Sequence, residues 1–210
     1  MKIAIIGSGN VGGVLGSRWA KGGHEVVFAS RNPASLEIQD LLSESGPTAR
    51  AASHTEALAA SDVVLLAMPW PATREVLESL GDFDGKILID ATNPLLPDLS
   101  GLTHGGNTSG GEAVSQWAHN ARVVKAFNTV GNNLMANPHF QDDSSVLFYC
   151  GDDKPAKAVV HELAEELGFE PQDAGPLTQA RVLEPFALLW ISLAVLQGYG
   201  RDIGFKFLRR

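Results

Sequence analysis

Three glycines near the amino end, Gly7, Gly9 and Gly12 in IAIIGSGNVGG, stand at the G-x-G-x-x-G spacing. They follow a β-rich apolar run and open a helix-length segment, the context that gives this spacing meaning. Gly7 permits a tight turn, Gly9 lets a pyrophosphate come close to the backbone, and Gly12 lets the helix pack on the strand. Free amides at such a helix start, together with the helix dipole, hold phosphates without a basic side chain. Ser8 and Asn10 add donors, and Val11 completes the loop of residues 7–12 as a candidate binding segment.

About 20 residues after such a loop an acid commonly accepts hydrogen bonds from the ribose hydroxyls of NAD. Here the stretch EVVFASRNPAS puts Ser30, Arg31 and Asn32 in that place. A guanidinium holds a pair of phosphate oxygens in a fork. Ser30 and Asn32 donate further bonds, and the arginine plane can lie against adenine. These residues read as a preference for NADP over NAD.

Three further turns follow strand-length runs, at the sheet end where doubly wound folds bind ligands. They carry Ala67, Met68, Pro69 and Trp70, then Thr92 and Asn93, then Asn128 and Thr129. Prolines stiffen these turns. Trp70 stacks near the nicotinamide or its partner, or else serves as a plain core aromatic. Thr92, Asn93 and Asn128 bond the carboxamide or ribose, or else only cap backbone as turn residues do. Lys125 and Asn128 form a K-x-x-N spacing at a strand end, where Lys125 reads as structural.

No metal site is expected. The six histidines are scattered, and His104, in a long loop, is the one of interest for function. The single cysteine, Cys150, excludes an internal disulfide and a cysteine cluster, and reads as a buried inert thiol. A carbonyl reductase needs a proton donor for the developing alkoxide, and no acid–base pair stands out. Hydride exchange between a nicotinamide and a flavin-like ring needs mainly stacking and alignment. No catalytic side chain is therefore assigned.

The elements that must position these residues are legible from periodicity. Strands are expected at 2–6, 25–29, 63–67, 86–89, 122–126, 145–150 and 169–173, with a weaker one at 48–51. Helices are expected at 10–21, 53–60, 71–80 and 154–167. Apolar strands alternating with helices imply an α/β fold, a Rossmann-type doubly wound, mainly parallel sheet. Residues 1–175 form the NADP-binding domain, and 176–210 a short C-terminal helical tail that walls the substrate site. The loop at 95–111 has the length of a lid, and Ser109 with Glu112 fits a capping box opening a helix. A helix at 178–197 is apolar nearly all round and needs cover on more than one side. A second subunit supplies that cover in a homodimer; the alternative is that GYGRDIGFKFL folds back over it.

Composition narrows the classes. With 16 basic and 24 acidic residues the net charge is −8, which gives no footprint for nucleic acid. The amino-terminal apolar run is too short for a secretory signal, and the stretch at 182–197 is expected to fall short of a membrane span. A cytoplasmic protein with a small-molecule electron acceptor and no membrane partner is expected.

IAIIGSGNVG, FASR, MPW, VVKAFNTV, CGDD, DAGPL followed by Arg181 and Glu184, and the closing GFKFL resemble the NADPH-dependent reductases of coenzyme F-420, a deazaflavin. The resemblance runs in order over nearly the whole chain. It implies a homodimer, hydride transfer between NADP and the deazaflavin, and no chemical acid or base. It also implies that Ser30 and Arg31 meet the 2′-phosphate and that the Pro69-Trp70 turn borders the nicotinamide. The archaeal deazaflavin reductases tend to carry a histidine where this chain has Asn128. There AFNTV is closer to the cytosolic domain of the STEAP-type metalloreductases, which pass electrons from NADPH to a flavin and on to metal ions. Three alternatives stay open: an NADPH-dependent flavin or ferric-chelate reductase, a dehydrogenase of a small carbonyl or imine, and a non-catalytic NADPH sensor.

Overall fold

The computed structural model describes residues 1–210. In chain order the elements are β1 (Lys2–Ile6), α1 (Asn10–Lys21), β2 (Glu25–Ala29), α2 (Leu36–Ser45), β3 (Ala49–Ala52), α3 (His54–Ala59), β4 (Val63–Leu66) and α4 (Trp70–Leu80). Then follow β5 (Ile87–Asp90), α5 (Gly110–Trp117), β6 (Arg122–Lys125), α6 (Asn132–Ala136), and a hairpin of β7 (His139–Phe140) and β8 (Asp143–Ser144). β9 (Val146–Gly151), α7 (Lys154–Glu166), β10 (Glu170–Asp173) and α8 (Ala180–Ile191) complete the chain.

The main sheet has the order β10-β9-β6-β5-β4-β1-β2-β3. Side chains alternate between its faces, as the period of two requires. Ile3, Ile5, Val26, Phe28, Leu65 and Ile89 enter one core with Leu15 and Trp19 of α1 and Leu163 of α7. Ala4, Ile6, Val27, Leu66 and Leu88 enter the other with Leu77 of α4, Val114 of α5 and Leu183 of α8. Both faces are covered, and the sheet is doubly wound as expected. The order reverses at β1, with β2 on one side and β4 on the other, so the carboxyl ends of β1 and β4 flank the crevice where such folds bind ligands.

Several features depart from expectation, among them α6 and the β7–β8 hairpin, which form where no element was expected. β9 runs antiparallel to β6 and β10 runs parallel to β9, so the last two strands oppose the rest. The link from β6 to β9 holds only α6 and the small hairpin, and an antiparallel neighbour needs no crossover across a face. Helix α2 also forms where no element was expected. Of its apolar side chains only Ile38 is buried, and Leu36 is largely exposed, so the stripe is too thin to read.

The expected helix at 178–197 is composite. A 3₁₀ turn at Leu177–Gln179 leads into α8, and a π-helical turn at Ser192–Leu196 ends it. The last residues do fold back. Trp190 donates its indole N–H to the Ile203 carbonyl at 2.9 Å, Phe205 lies 4.7 Å from Phe186, and the Val146 N–H bonds the Phe205 carbonyl. Val182, Leu189, Val195 and Leu196 stay exposed on the rest of the helix. The 20 residues Leu177–Leu196 are long and apolar enough to cross a membrane by length and composition, which corrects the expectation that this stretch falls short. Glu184 within it is bonded into the globule, as described below.

Candidate functional site

β1 delivers its carboxyl end to Gly7, whose φ of +101° only glycine adopts readily. A Cβ there would lie 2.3 Å from the Ala67 carbonyl oxygen, so the turn and the end of β4 abut. A Cβ on Gly12 would lie 1.9 Å from the Gly7 oxygen, which fixes how closely α1 packs. Gly9 is different. Its φ of −75° and ψ of −159° suit any residue, and a Cβ there would meet nothing within 4 Å. No packing contact requires glycine at this N-cap, and the absent Cβ leaves the amides that open α1 open to a group from outside. A cleft of about 740 Å³ runs from Ser8, Gly9 and Asn10 along α1 to Lys21 and Leu41.

At the end of β2 the Ser30 N–H bonds the Ala52 carbonyl, and the Ser30 hydroxyl accepts from the Asn32 N–H at 3.1 Å. That small turn leaves Arg31 and Asn32 exposed.

The turn after β5 is tied down within itself. Asp90 Oδ1 accepts from the Thr92 N–H at 2.9 Å and from its hydroxyl at 2.6 Å. Thr92 thus closes the turn and presents no free donor. Asn93 and Asn128 bridge the ends of β5 and β6. Asn93 Nδ2 donates to the Asn128 carbonyl at 2.9 Å, and Asn128 Nδ2 donates to Asn93 Oδ1 at 3.1 Å. Asn128 Oδ1 and Thr129 Oγ1 are buried with no partner. Burying a polar atom unsatisfied costs about 1–3 kcal/mol, so two together call for a polar group from outside the chain.

Phe127, just before them, takes a φ of +64°, an outlier for an aromatic residue. Such strain costs about 1–3 kcal/mol and collects at ligand sites. Edge contacts with Trp19 at 5.8 Å and Phe169 at 6.2 Å hold the ring, which is fully buried. Sequence reasoning passed over Phe127, and no residue-type signal marks it.

Met68 and Pro69 lead from β4 into α4. The Trp70 ring lies against Trp117 at 5.3 Å and His104 at 5.1 Å, while Arg74 sits 5.8 Å over Trp117. Trp70 and His104, both singled out from the sequence, thus meet each other and fasten the loop before α5. The loop is further pinned by the Leu95–Leu102 bridge and the Thr103 N–H to Pro94 carbonyl bond. Ser109 caps α5 by accepting the Glu112 N–H. The Glu112 carboxylate does not return to the Ser109 N–H; it takes the Ser109 hydroxyl and Arg181 instead. The reciprocal box forms at Ser53 and Glu56.

Behind the site lies an ionic cluster with no exposed surface. Lys125 Nζ is 2.9 Å from Asp90 Oδ2 and 2.8 Å from Glu184 Oε1. Glu184 also accepts from the Gly110 and Gly111 N–H groups at 2.8 and 2.9 Å. Burial alone would lower the Lys125 ammonium, but the two carboxylates outweigh it and hold it raised. The group is locked as a cation, a structural role in keeping with the sequence reading. Burial pushes the Cys150 thiol up to about 12, so it is inert as expected.

Residues 2–94 match the model of the family described as NADP oxidoreductase, coenzyme F420-dependent. The chain is 30% identical over 212 residues to the F420-dependent NADP reductase of Methanothermobacter thermautotrophicus, covering 93% of this chain and 90% of that protein. The chain belongs to the F420-dependent NADP reductase family. It is an oxidoreductase of that family. A crystal structure from Arthrobacter sp. FB24 assigned to the same reductases superposes with a TM-score of 0.89 at 31% identity, each chain covered in full. The rat metalloreductase STEAP3 is 31% identical over 188 residues, which are 89% of this chain and 36% of that protein. A reductive aminase from Aspergillus terreus, with a TM-score of 0.69 at 21% identity over 94% of this chain and 62% of that one, shares the fold alone.

Proposed function

We propose that the chain passes a hydride between NADP(H) and a deazaflavin of the F420 type. One observation carries this reading. At the carboxyl end of β1 Gly9 leaves the amides that open α1 unobstructed, just past β6 the Asn128 and Thr129 side-chain oxygens are buried without partners, and just past β2 Arg31 is exposed. The residues present fit NADP(H). The amides at the start of α1, with Ser8 and Asn10, hold the pyrophosphate. Ser30, Arg31 and Asn32 hold the 2′-phosphate. Asn128 and Thr129 offer their free oxygens to the carboxamide and ribose, and Ala67, Met68 and Pro69 bound the ring. When bound, the nicotinamide supplies the hydride. The chain's part is alignment and exclusion of water, and no side chain gives or takes a proton.

The reading includes residues 1–175 as the NADP-binding unit and 176–210 as a tail walling the second substrate. It includes a homodimer through the exposed apolar stripe of the 178–197 helix, and a cytoplasmic location, which the single inert thiol supports. A second reading, an NADPH-dependent flavin or ferric-chelate reductase, is favoured by Asn128, where archaeal deazaflavin reductases tend to carry histidine. Anaerobic NADPH oxidation by the pure protein separates them, with deazaflavin, FMN, FAD and ferric chelate offered in parallel. Turnover is expected to be fastest with deazaflavin. Turnover with flavin or ferric chelate alone supports the second reading, and none with any acceptor supports a sensor.

A further inference from the structure

β2 and β3 pair in register with Ala29 opposite Ala52, and the Ser30 N–H bonds the Ala52 carbonyl at 2.9 Å. The residues that follow each strand therefore emerge side by side at the carboxyl edge of the sheet. After β2 comes Arg31, exposed and without an ion pair. After β3 comes Ser53 and then His54, half-buried at the start of α3. Burial, and then the charge of Arg31, push the His54 imidazole below its usual range.

The other charges nearby are engaged or distant. Glu56, on the same helix, accepts from the Ser53 N–H and hydroxyl. Those two bonds from Ser53 hold the Glu56 carboxyl below its usual range, and Arg50 of β3 adds to the effect. α4, which packs on α3, carries Glu75 and the Arg74–Glu78 pair, closed at 2.8 Å. The charges of β1 and β2, Lys2 and Glu25, lie at the opposite ends of those strands. One neutral imidazole thus stands beside one unpaired guanidinium, with no carboxylate between them.

We propose that His54 is a second cationic arm of the 2′-phosphate pocket, and that it makes the choice of NADP over NAD depend on pH near neutrality. The proposal rests on the reading of Ser30 and Arg31 as that pocket. The sign follows from charge. In the free protein the ring is neutral at pH 7. A dianionic monoester placed beside it favours the imidazolium, so binding takes up a proton and affinity rises as pH falls from 8.5 towards 6.5. Below about pH 6 the monoester gains a proton of its own and the rise stops.

The test is calorimetric titration of NADP⁺ and NAD⁺ at pH 8.5 and 6.5, with NMR titration of the His54 ring in the free and NADP⁺-bound protein. For the wild type, NADP⁺ affinity is expected to rise about fivefold to tenfold towards the lower pH, as one pKa unit of coupling allows, and NAD⁺ affinity to stay flat. The His54 ring is expected to titrate at higher pH when NADP⁺ is bound. His54→Gln is expected to keep the preference for NADP⁺, through Arg31, and to lose its pH dependence. A His54→Gln protein with the wild-type pH dependence, or a ring whose titration does not move on binding, overturns the role of His54 and leaves the pocket standing. Wild-type protein that binds NADP⁺ no tighter than NAD⁺ at either pH, or an Arg31→Glu variant with undiminished NADP⁺ preference, overturns the pocket and the role of His54 together.

Discussion

The residues at the carboxyl ends of the strands fall into those whose packing requires them and those whose role is proposed to lie in ligand binding. Gly7 and Gly12 answer to backbone within the chain, whereas Gly9 answers to nothing in it. Gly9→Ala should therefore cost no more than about 1 kcal/mol in urea unfolding, the scale of a poorer N-cap, and weaken NADPH by about tenfold or more, ~1.4 kcal/mol. Equal loss of stability would mean that the glycine serves the fold instead. The glycine spacing and the Ser30-Arg31-Asn32 turn stand out in the sequence as candidates because each residue type has a distinct chemistry at its position. The strain at Phe127 and the unpartnered oxygens of Asn128 and Thr129 were not. They are properties of a backbone path and of burial, and Phe and Asn are ordinary letters in a sequence.

Among the elements, those with strong apolar runs were read within a residue or two, since alternation between two buried faces leaves little freedom in register. The direction of β9 was not legible, because periodicity is the same for parallel and antiparallel neighbours. Nor was the cluster of Asp90, Lys125 and Glu184. Its members are 94 residues apart at the extremes, by their numbers, and only packing brings them together. The cluster ties β5 and β6 to α8 and to the start of α5, where Glu184 occupies two amides that no helix bond can satisfy. Lys125→Met should cost about 3–5 kcal/mol, because two buried carboxylates then lose their cation. Urea denaturation gives the value, and a change under about 1 kcal/mol would show that the pair is not holding these elements together.

In the whole molecule the question is what covers α8. The returning tail covers one side through Trp190 and Phe205, and Leu189 stays about half exposed, at 49%. Composition could not choose between a second subunit and the tail, since both bury the same kind of surface. The folded-back tail and the remaining exposed stripe are compatible with both. Leu189→Glu should yield monomer or aggregate by light scattering if the stripe is the seam between subunits. An unchanged dimer, or a monomeric wild type, would count against that seam.

The most direct test of the central claim is isotopic. NADPH carrying deuterium at both C4 positions of the nicotinamide, oxidised anaerobically by the protein with deazaflavin, should deliver the label to carbon of the reduced deazaflavin in ordinary water, as transfer between two rings held face to face requires. Reduced deazaflavin whose new carbon-bound hydrogen comes from solvent, or no reduction at all, would contradict it.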